Sequence, residues 1–256
     1  MNVSAEGLRY AYPRARAEAL RGVGLEARAG AALALLGPNG CGKSTLLGAL
    51  IGAIRPARGV VRLGGRELGS LGRREVARRV AYLPQFERMS FGLSALEYAL
   101  LGRSPHLGAF SQPSPADEEA AFRALESAGA AGLADRRVNE LSGGELQLVR
   151  IARCLAQGAQ AIVMDEPTSM LDPARALAVA DAIRGLAASG RTVAFSTHDA
   201  AFAAYAAEEV TLMREGRALF AGPAAEALRP ERLSECFGAA FGPSGAPSAF
   251  TRGASA

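Results

Sequence analysis

The chain has 256 residues, 49% of them hydrophobic, and a formal net charge of +4, enough apolar matter for one large α/β domain or a core carrying one inserted subdomain. The positive excess is scattered, with only short pairs at Arg73-Arg74, Arg78-Arg79 and Arg136-Arg137, no tryptophan and no basic block interleaved with aromatics, which argues against a nucleic-acid partner. Three cysteines, Cys41, Cys154 and Cys236, are odd in number and lack metal-ligand spacing, and no apolar run approaches a membrane span, so neither a disulfide framework nor a transmembrane helix is expected. Residues 1–6 carry no basic region and no hydrophobic run, so a signal peptide is not expected either.

Alternating segments at 3–10 and 22–27 predict short strands of an antiparallel flap. Residues 31–36 predict a buried strand. It feeds Gly37-Pro38-Asn39-Gly40-Cys41-Gly42-Lys43-Ser44-Thr45, and a helix follows over 43–51. This is the phosphate-loop pattern G-x-x-x-x-G-K-[ST] in its required strand–loop–helix setting. Lys43 is the only lysine in the chain; every other cationic side chain is an arginine. A guanidinium is a wide planar fork and an ammonium a compact point charge. The one retained lysine therefore marks a place where only the compact group fits, inside a tight loop beside the β- and γ-phosphates. Backbone N–H groups of the loop and the helix N-terminus offer a concave anion site, with Ser44 placed to ligate Mg²⁺. Cys41, at a helix N-terminus beside a cation, is expected to tend toward thiolate.

Strands are expected at 60–63 and 80–83. From about residue 94 to 156 the pattern turns helical, with turn clusters such as Ser111-Gln112-Pro113-Ser114-Pro115 and no convincing strand, and a last helix at about 145–157 leads back to the core. Within this insertion, Leu141-Ser142-Gly143-Gly144-Glu145 sets a serine and two glycines at a helix start. One nucleotide needs one phosphate loop, so a second phosphate-binding N-terminus points to another subunit's nucleotide; taken alone, the segment is more economically a plain N-cap.

The apolar strand Ala161-Ile162-Val163-Met164 ends in Asp165-Glu166. Such a strand is expected beside the phosphate-loop strand, bringing Asp165 to the metal and Glu166 to the γ-phosphate, where it orients or deprotonates a water. An ordinary strand-end acidic pair is the alternative. A helix over 173–188 and a strand over 192–196 follow, and then His198, which on residues alone is equally a structural histidine. Strands at 210–213 and 218–220, joined by a turn at Glu215-Gly216, close the sheet. Strands alternating with helices predict a mainly parallel sheet with ligand at the strands' carboxyl ends. Residues 242–256 are rich in Gly, Ser, Pro and Ala and are expected to be disordered.

Together these segments resemble the ATP-binding cassette ATPases, whose L-S-G-G-Q signature stands here as Leu141–Glu145 with glutamate for glutamine. Ala81-Tyr82-Leu83-Pro84-Gln85 resembles the family's glutamine loop, Ser169-Met170-Leu171-Asp172 its D-loop, and Ser196-Thr197-His198-Asp199 its switch-histidine loop. Tyr12 matches the aromatic residue that stacks on adenine, with Tyr10 a second candidate. The resemblance runs from about residue 3 to 237. It implies an α/β fold: a RecA-like P-loop NTPase core, an antiparallel β-subdomain and an inserted helical subdomain at about 86–157, together one nucleotide-binding domain over 1–241.

It further implies ATP and Mg²⁺ as cofactors. ATP would be bound by Tyr12, by Gly37, Pro38, Asn39, Gly40, Cys41, Gly42, Lys43, Ser44 and Thr45, and by Asp165. Ser44, Gln85 and Asp165 would surround the metal, and Glu166, His198 and Gln85 would serve hydrolysis. Two copies would form a head-to-tail dimer, with Ser142, Gly143 and Gly144 of one clamping the γ-phosphate held by the other.

A narrower resemblance lies in Leu101-Gly102-Arg103-Ser104-Pro105-His106-Leu107-Gly108, with the glutamate-ended signature and Leu155-Ala156-Gln157. These are similar to ATPases of metal-chelate importers, which carry ferric siderophores, haem or cobalamin, with molybdate and tungstate importers as relatives. His106 itself reads as a loop histidine contacting nearby backbone. The implied partners are a second ATPase subunit, an integral-membrane permease and, through it, a periplasmic or lipoprotein substrate-binding protein, which places the chain on the cytoplasmic face of the membrane. An exporter component is the nearer alternative. A soluble cassette protein of DNA repair or the ribosome is more distant, because the long coiled-coil insertion or second cassette typical of those is missing. A GTPase is excluded by the lack of N-K-x-D, since the sole lysine is already used.

Overall fold

The largely apolar runs 32–36, 161–164 and 192–197 become strands buried on both faces. The computed structural model describes residues 1–87, 92–108, 110–169 and 171–242. In chain order it contains β1 (Val3–Tyr10), β2 (Leu20–Ala27), β3 (Ala32–Leu36), α1 (Lys43–Leu50), β4 (Arg58–Leu63), β5 (Arg66–Glu67), α2 (Arg73–Arg79) and β6 (Val80–Leu83). Then come α3 (Ala95–Leu100), α4 (Pro115–Ser127) and α5 (Gly143–Ala156), followed by β7 (Ala161–Met164), α6 (Pro173–Ala188), β8 (Thr192–Thr197) and α7 (Ala200–Ala206). The described chain closes with β9 (Glu209–Arg214), β10 (Arg217–Pro223), α8 (Ala224–Ala227) and α9 (Pro230–Phe237).

The six-stranded sheet has the order β10-β9-β3-β8-β7-β6, parallel throughout except for β10. Its strands alternate between two cores, as a two-residue period requires. Ala32, Ala34 and Leu36 of β3 face the core shared with α3–α7 and α9, while Leu33 and Leu35 face the core shared with α1, β1 and β2. Ile162 and Met164 of β7 and Val193 and Phe195 of β8 divide from Ala161, Val163 and Ala194 in the same way. A second, antiparallel sheet, β2-β1-β4-β5, forms the expected flap.

Between β6 and β7 the regular elements among the described residues are helical; the one β-bridge there, Ser94 to Arg137, ties the start of α3 to the chain before α5. Helix α4 starts at Pro115 with a reciprocal cap between Ser114 and Asp117, and α6 starts at Pro173 with the Asp172 carboxylate accepting from the Arg175 N–H. Both starts combine a proline in the first turn with an acidic or hydroxyl cap.

One expectation is overturned. Strand β7, which ends in Asp165-Glu166, does not neighbour β3: β8 lies between them and pairs with both. The carboxylates still reach the phosphate loop, with Asp165 meeting Ser44, Glu166 meeting Lys43, and Ser196, the next-to-last residue of β8, bridging the two. The chain also adds α8 and α9 after β10; Pro230 at the start of α9 and Gly238, left-handed at φ 68°, at its end are the sequence signals for that helix. Apart from Gly242, the tail expected to be disordered lies outside the described residues, as does Met170.

Candidate functional site

The loop after β3 is shaped by close approach of backbone to backbone. A Cβ at Gly37 would lie 2.1 Å from the Met213 carbonyl oxygen, and one at Gly42 would lie 2.6 Å from that of Ala19. Gly42 also holds φ 108°, a left-handed backbone that glycine alone adopts without strain. The Gly216 N–H donates to the Cys41 carbonyl at 2.9 Å, pinning the loop against the β9–β10 turn. Helix α1 begins without a side-chain cap and without an acidic residue in its first turn, which leaves its N-terminal N–H groups and its dipole for an anion.

Lys43 is buried. Its ammonium donates to the Gly37 carbonyl at 2.7 Å and the Pro38 carbonyl at 3.3 Å, and stands 3.5 Å from the Glu166 carboxylate. Cys41 is buried too, and burial pushes its thiol up against the opposing pull of Lys43. The expected drift toward thiolate is thereby overturned: desolvation of the charged form outweighs the neighbouring cation.

At the carboxyl ends of β7 and β8 the acidic pair is held by hydroxyls. Ser44 donates to Asp165 Oδ1 at 3.1 Å, and Ser196 donates to the same oxygen at 2.6 Å. The Ser196 oxygen in turn accepts the Glu166 N–H at 2.8 Å. Glu166 has φ 47°, a left-handed backbone uncommon for a residue with a Cβ. One carboxylate oxygen faces Lys43; the other meets His198 Nδ1 at 2.9 Å. No cluster of three or more His, Cys, Asp or Glu suited to a metal exists among the described residues. Ser44 and Asp165 are hard oxygen donors side by side, and one or two such ligands suit Mg²⁺ when phosphate and water complete its octahedron. The donor set fits.

Tyr12 lies at the same mouth, 46% exposed, with its hydroxyl 3.0 Å from Thr45 Oγ1 and its ring edge-on to Tyr10 at 5.0 Å. Gln85 sits two residues beyond β6, half-buried, and among the described residues no hydrogen bond joins it to Ser44, Asp165 or Glu166. The structure thus gathers Lys43, Ser44, Thr45, Tyr12, Asp165, Glu166 and His198, and sets Gln85 at their margin.

Ser142, Gly143 and Gly144 lie apart from this cluster, at the start of α5. The Ser142 hydroxyl donates to Glu145 Oε2 at 2.5 Å, and the Ser142 N–H donates to the same oxygen at 2.9 Å. These bonds, with Arg136 3.1 Å from the other oxygen, hold the Glu145 carboxyl below its ordinary value. A Cβ on Gly144 would strike the Arg175 side chain at 2.0 Å, so this glycine admits the arginine that Asp172 pairs at 3.2 Å.

Two residues that the motif reading passed over connect the regions. Gln147 and Arg150, both buried, lie three apart on the inner face of α5. Gln147 donates to the Pro167 carbonyl at 2.6 Å, just after Glu166, and accepts from Arg150 at 2.8 Å. Arg150 also donates to the Pro84 carbonyl and stands 3.6 Å from Glu87, so it grips both flanks of Gln85. Polar residues interrupting an apolar helix face were the available signal. In the Gly102–His106 segment, Arg103 pairs Asp117 at 2.9 Å and His106 Nε2 meets the Gln157 carbonyl at 2.8 Å. His106 thus contacts backbone.

Residues 20–169 match the family model described as ABC transporter. The hemin import ATP-binding protein HmuV of Streptomyces coelicolor is 42% identical over 218 residues, covering 85% of this chain and 77% of the relative. A solved metal-chelate type ABC transporter in an inward-facing conformation superposes with a TM-score of 0.82 at 32% identity, covering 93% of this chain and 89% of that one. A dimeric bacterial ABC transporter cassette superposes with a TM-score of 0.76 at 25% identity, covering 87% and 98%.

Proposed function

The chain belongs to the ABC transporter family, and we propose that it is the ATP-hydrolysing subunit of an importer for a metal chelate, with haem the foremost candidate. The carrying observation is the cluster of Lys43, Ser44, Asp165, Glu166 and His198 at the carboxyl ends of three strands. The hemin-import relatives and the metal-chelate transporter support the cargo.

In this reading the loop Gly37–Thr45 cradles the phosphates, Tyr12 stacks on the base, and Ser44 and Asp165 hold Mg²⁺. The bound metal would supply neutralising charge across the β- and γ-phosphates. Lys43 exchanges its carbonyl partners for phosphate oxygens, and the loosened ion pair frees Glu166 to take a proton from the attacking water. His198 holds that carboxylate's second oxygen. Gln85, outside the cluster, joins it on closure. Ser142, Gly143 and Gly144 grip the γ-phosphate of a second copy, so hydrolysis removes the contacts that keep the pair closed.

No helix among the described residues is long and apolar enough to cross a membrane, so the conduit belongs to a separate permease on whose cytoplasmic side this chain sits, fed by a substrate-binding protein. A cleft of about 1080 Å³ between α1, α2 and the helical segment, with walls including Ile51, Leu68, Val76, Tyr82, Leu101 and Pro105, supports such docking. The test is co-purification with any polytopic permease encoded in the neighbouring genes. ATPase activity should rise in the complex and respond to a haem-loaded binding protein. Association with DNA or ribosomes, and none with the permease, sinks the reading.

A further inference from the structure

Ser196 has no place among the residues assigned to ATP, metal or water, yet it is the most enclosed polar group of the cluster. It is fully buried at the end of β8, the strand between β3 and β7. We propose that Ser196 is the positioning residue of the hydrolytic centre, fixing Asp165 and Glu166 in divergent directions through one hydroxyl. The proposal rests on the roles given above to Asp165 and Glu166.

A serine hydroxyl has one proton and two lone pairs. Facing an ionised carboxylate, which can only accept, it must donate: that is the 2.6 Å bond to Asp165 Oδ1. Its lone pair then receives the Glu166 N–H at 2.8 Å. Donor and acceptor are both used, on the side chain of one residue and the backbone of the next. Glu166 is one of three non-glycine residues with positive φ among the described residues, and the one that is buried. A left-handed backbone is costly for a residue bearing a Cβ, so something must hold it there.

The Ser196 bond to the Glu166 N–H supplies that restraint on one side of the residue, as the Ser169 N–H, donating to the Glu166 carbonyl at 3.1 Å, does on the other. It turns the Glu166 side chain toward Lys43 and His198 while Asp165 stays with Ser44. Without the hydroxyl, a buried N–H loses its partner and the turn can relax. The Asp165 carboxylate then keeps, among the described residues, the Ser44 bond at 3.1 Å alone. Ser196 touches neither nucleotide nor water in this scheme; it acts through its two neighbours.

The experiment compares Ser196→Ala, Ser196→Cys, Ser196→Thr and Glu166→Gln in the full chain, below each variant's unfolding temperature. For Ser196→Ala, kcat should fall about 10- to 100-fold, the scale on which small misplacement of a reacting group acts. Its ATP affinity, measured by direct binding, should stay near wild type. Because hydrolysis is slowed and binding is not, ATP should hold the alanine variant as a dimer on size-exclusion chromatography, as in Glu166→Gln. Ser196→Thr keeps the hydroxyl and should recover most of the rate. Ser196→Cys, with its weaker donor, should lie between; if the alanine variant does not fold, a cysteine variant at full rate overturns the proposal.

Full kcat in Ser196→Ala, or a loss confined to ATP affinity, also overturns it. If Glu166→Gln itself keeps its turnover, the reading of Glu166 fails and this one with it. If Glu166→Gln is slow and Ser196→Ala is not, only the role of Ser196 is lost.

Discussion

The phosphate-loop cluster and the start of α5 both offer a helix N-terminus to an anion, and they are built in opposite ways. Around Lys43, whose ammonium also donates to two carbonyls of its own loop, the side chains are joined across elements: Lys43 to Glu166, Ser44 to Asp165, Glu166 to Ser196 and His198. At α5, Ser142 is satisfied by Glu145, three residues on, with Arg136 behind it. The first site exists only once β3, β7 and β8 are side by side. The second forms within one turn of helix, and among the described residues no hydrogen bond or ion pair joins it to the phosphate loop. Long-range construction fixes the geometry that hydrolysis needs; local construction leaves a unit that is complete without the loop of its own chain and free to meet another.

Lys43→Arg attacks the long-range site and should have the largest effect. The fork cannot occupy the space where an ammonium donates to two loop carbonyls at 2.7 and 3.3 Å, although the charge is kept. kcat/KM should fall about 100-fold, the upper range for a lost charge-assisted hydrogen bond. A variant with wild-type ATP affinity and rate would show that the chain's one lysine is replaceable.

The same division decides what the sequence revealed. Asp165, Glu166, Lys43 and Ser44 are legible because each motif is local; alternation of apolar residues located β1 and β2, short apolar segments located β4 and the strands of the larger sheet, and β5 was not anticipated. The order of strands was misjudged, because nothing within 161–166 says that β8 intervenes; Ser196 carries that information in a motif noted for its histidine. Cys41 was misjudged for a related reason. The cation beside it is visible in sequence, whereas the burial that outweighs the cation comes with a core cluster assembled from distant segments, Met213 of β9 among them. Gln147 and Arg150 were overlooked because their partners, Pro167, Pro84 and Glu87, lie on other segments.

Those two residues make the contrast testable at an intermediate scale. Arg150→Met removes the link between α5 and the flanks of Gln85 while filling similar volume. Turnover should drop about tenfold with ATP affinity little changed, since coupling through such a network is on the order of 0.5–2 kcal/mol. Gln147→Leu should give a similar loss, and the double variant should be no worse than either single one. Strictly additive losses would mean that the two act separately and that no connected path runs from Glu166 to the glutamine loop.

The smallest effect belongs to the local site and carries a definite sign with pH. Hydrogen bonds from Ser142, with the Arg136 charge, hold the Glu145 carboxyl below its ordinary value of 4.5. A carboxyl depressed in the folded state contributes stability that is fully present above the ordinary value and is lost as pH falls through the folded one. Glu145→Gln, the residue of the family's usual signature, keeps a capping side chain and removes the charge. At neutral pH the variant should melt slightly below the parent, because the charged cap and its arginine partner are gone. Between about pH 4.5 and the depressed folded value the gap should close, since the parent's carboxyl protonates and becomes as neutral as the amide. Thermal melts at neutral pH and at successively lower pH below 4.5 decide it, the gap narrowing as the pH falls. A gap that stays constant across that range would show that Glu145 is held by shape alone, and that the start of α5 is not the self-contained electrostatic unit that sets it apart from the phosphate loop.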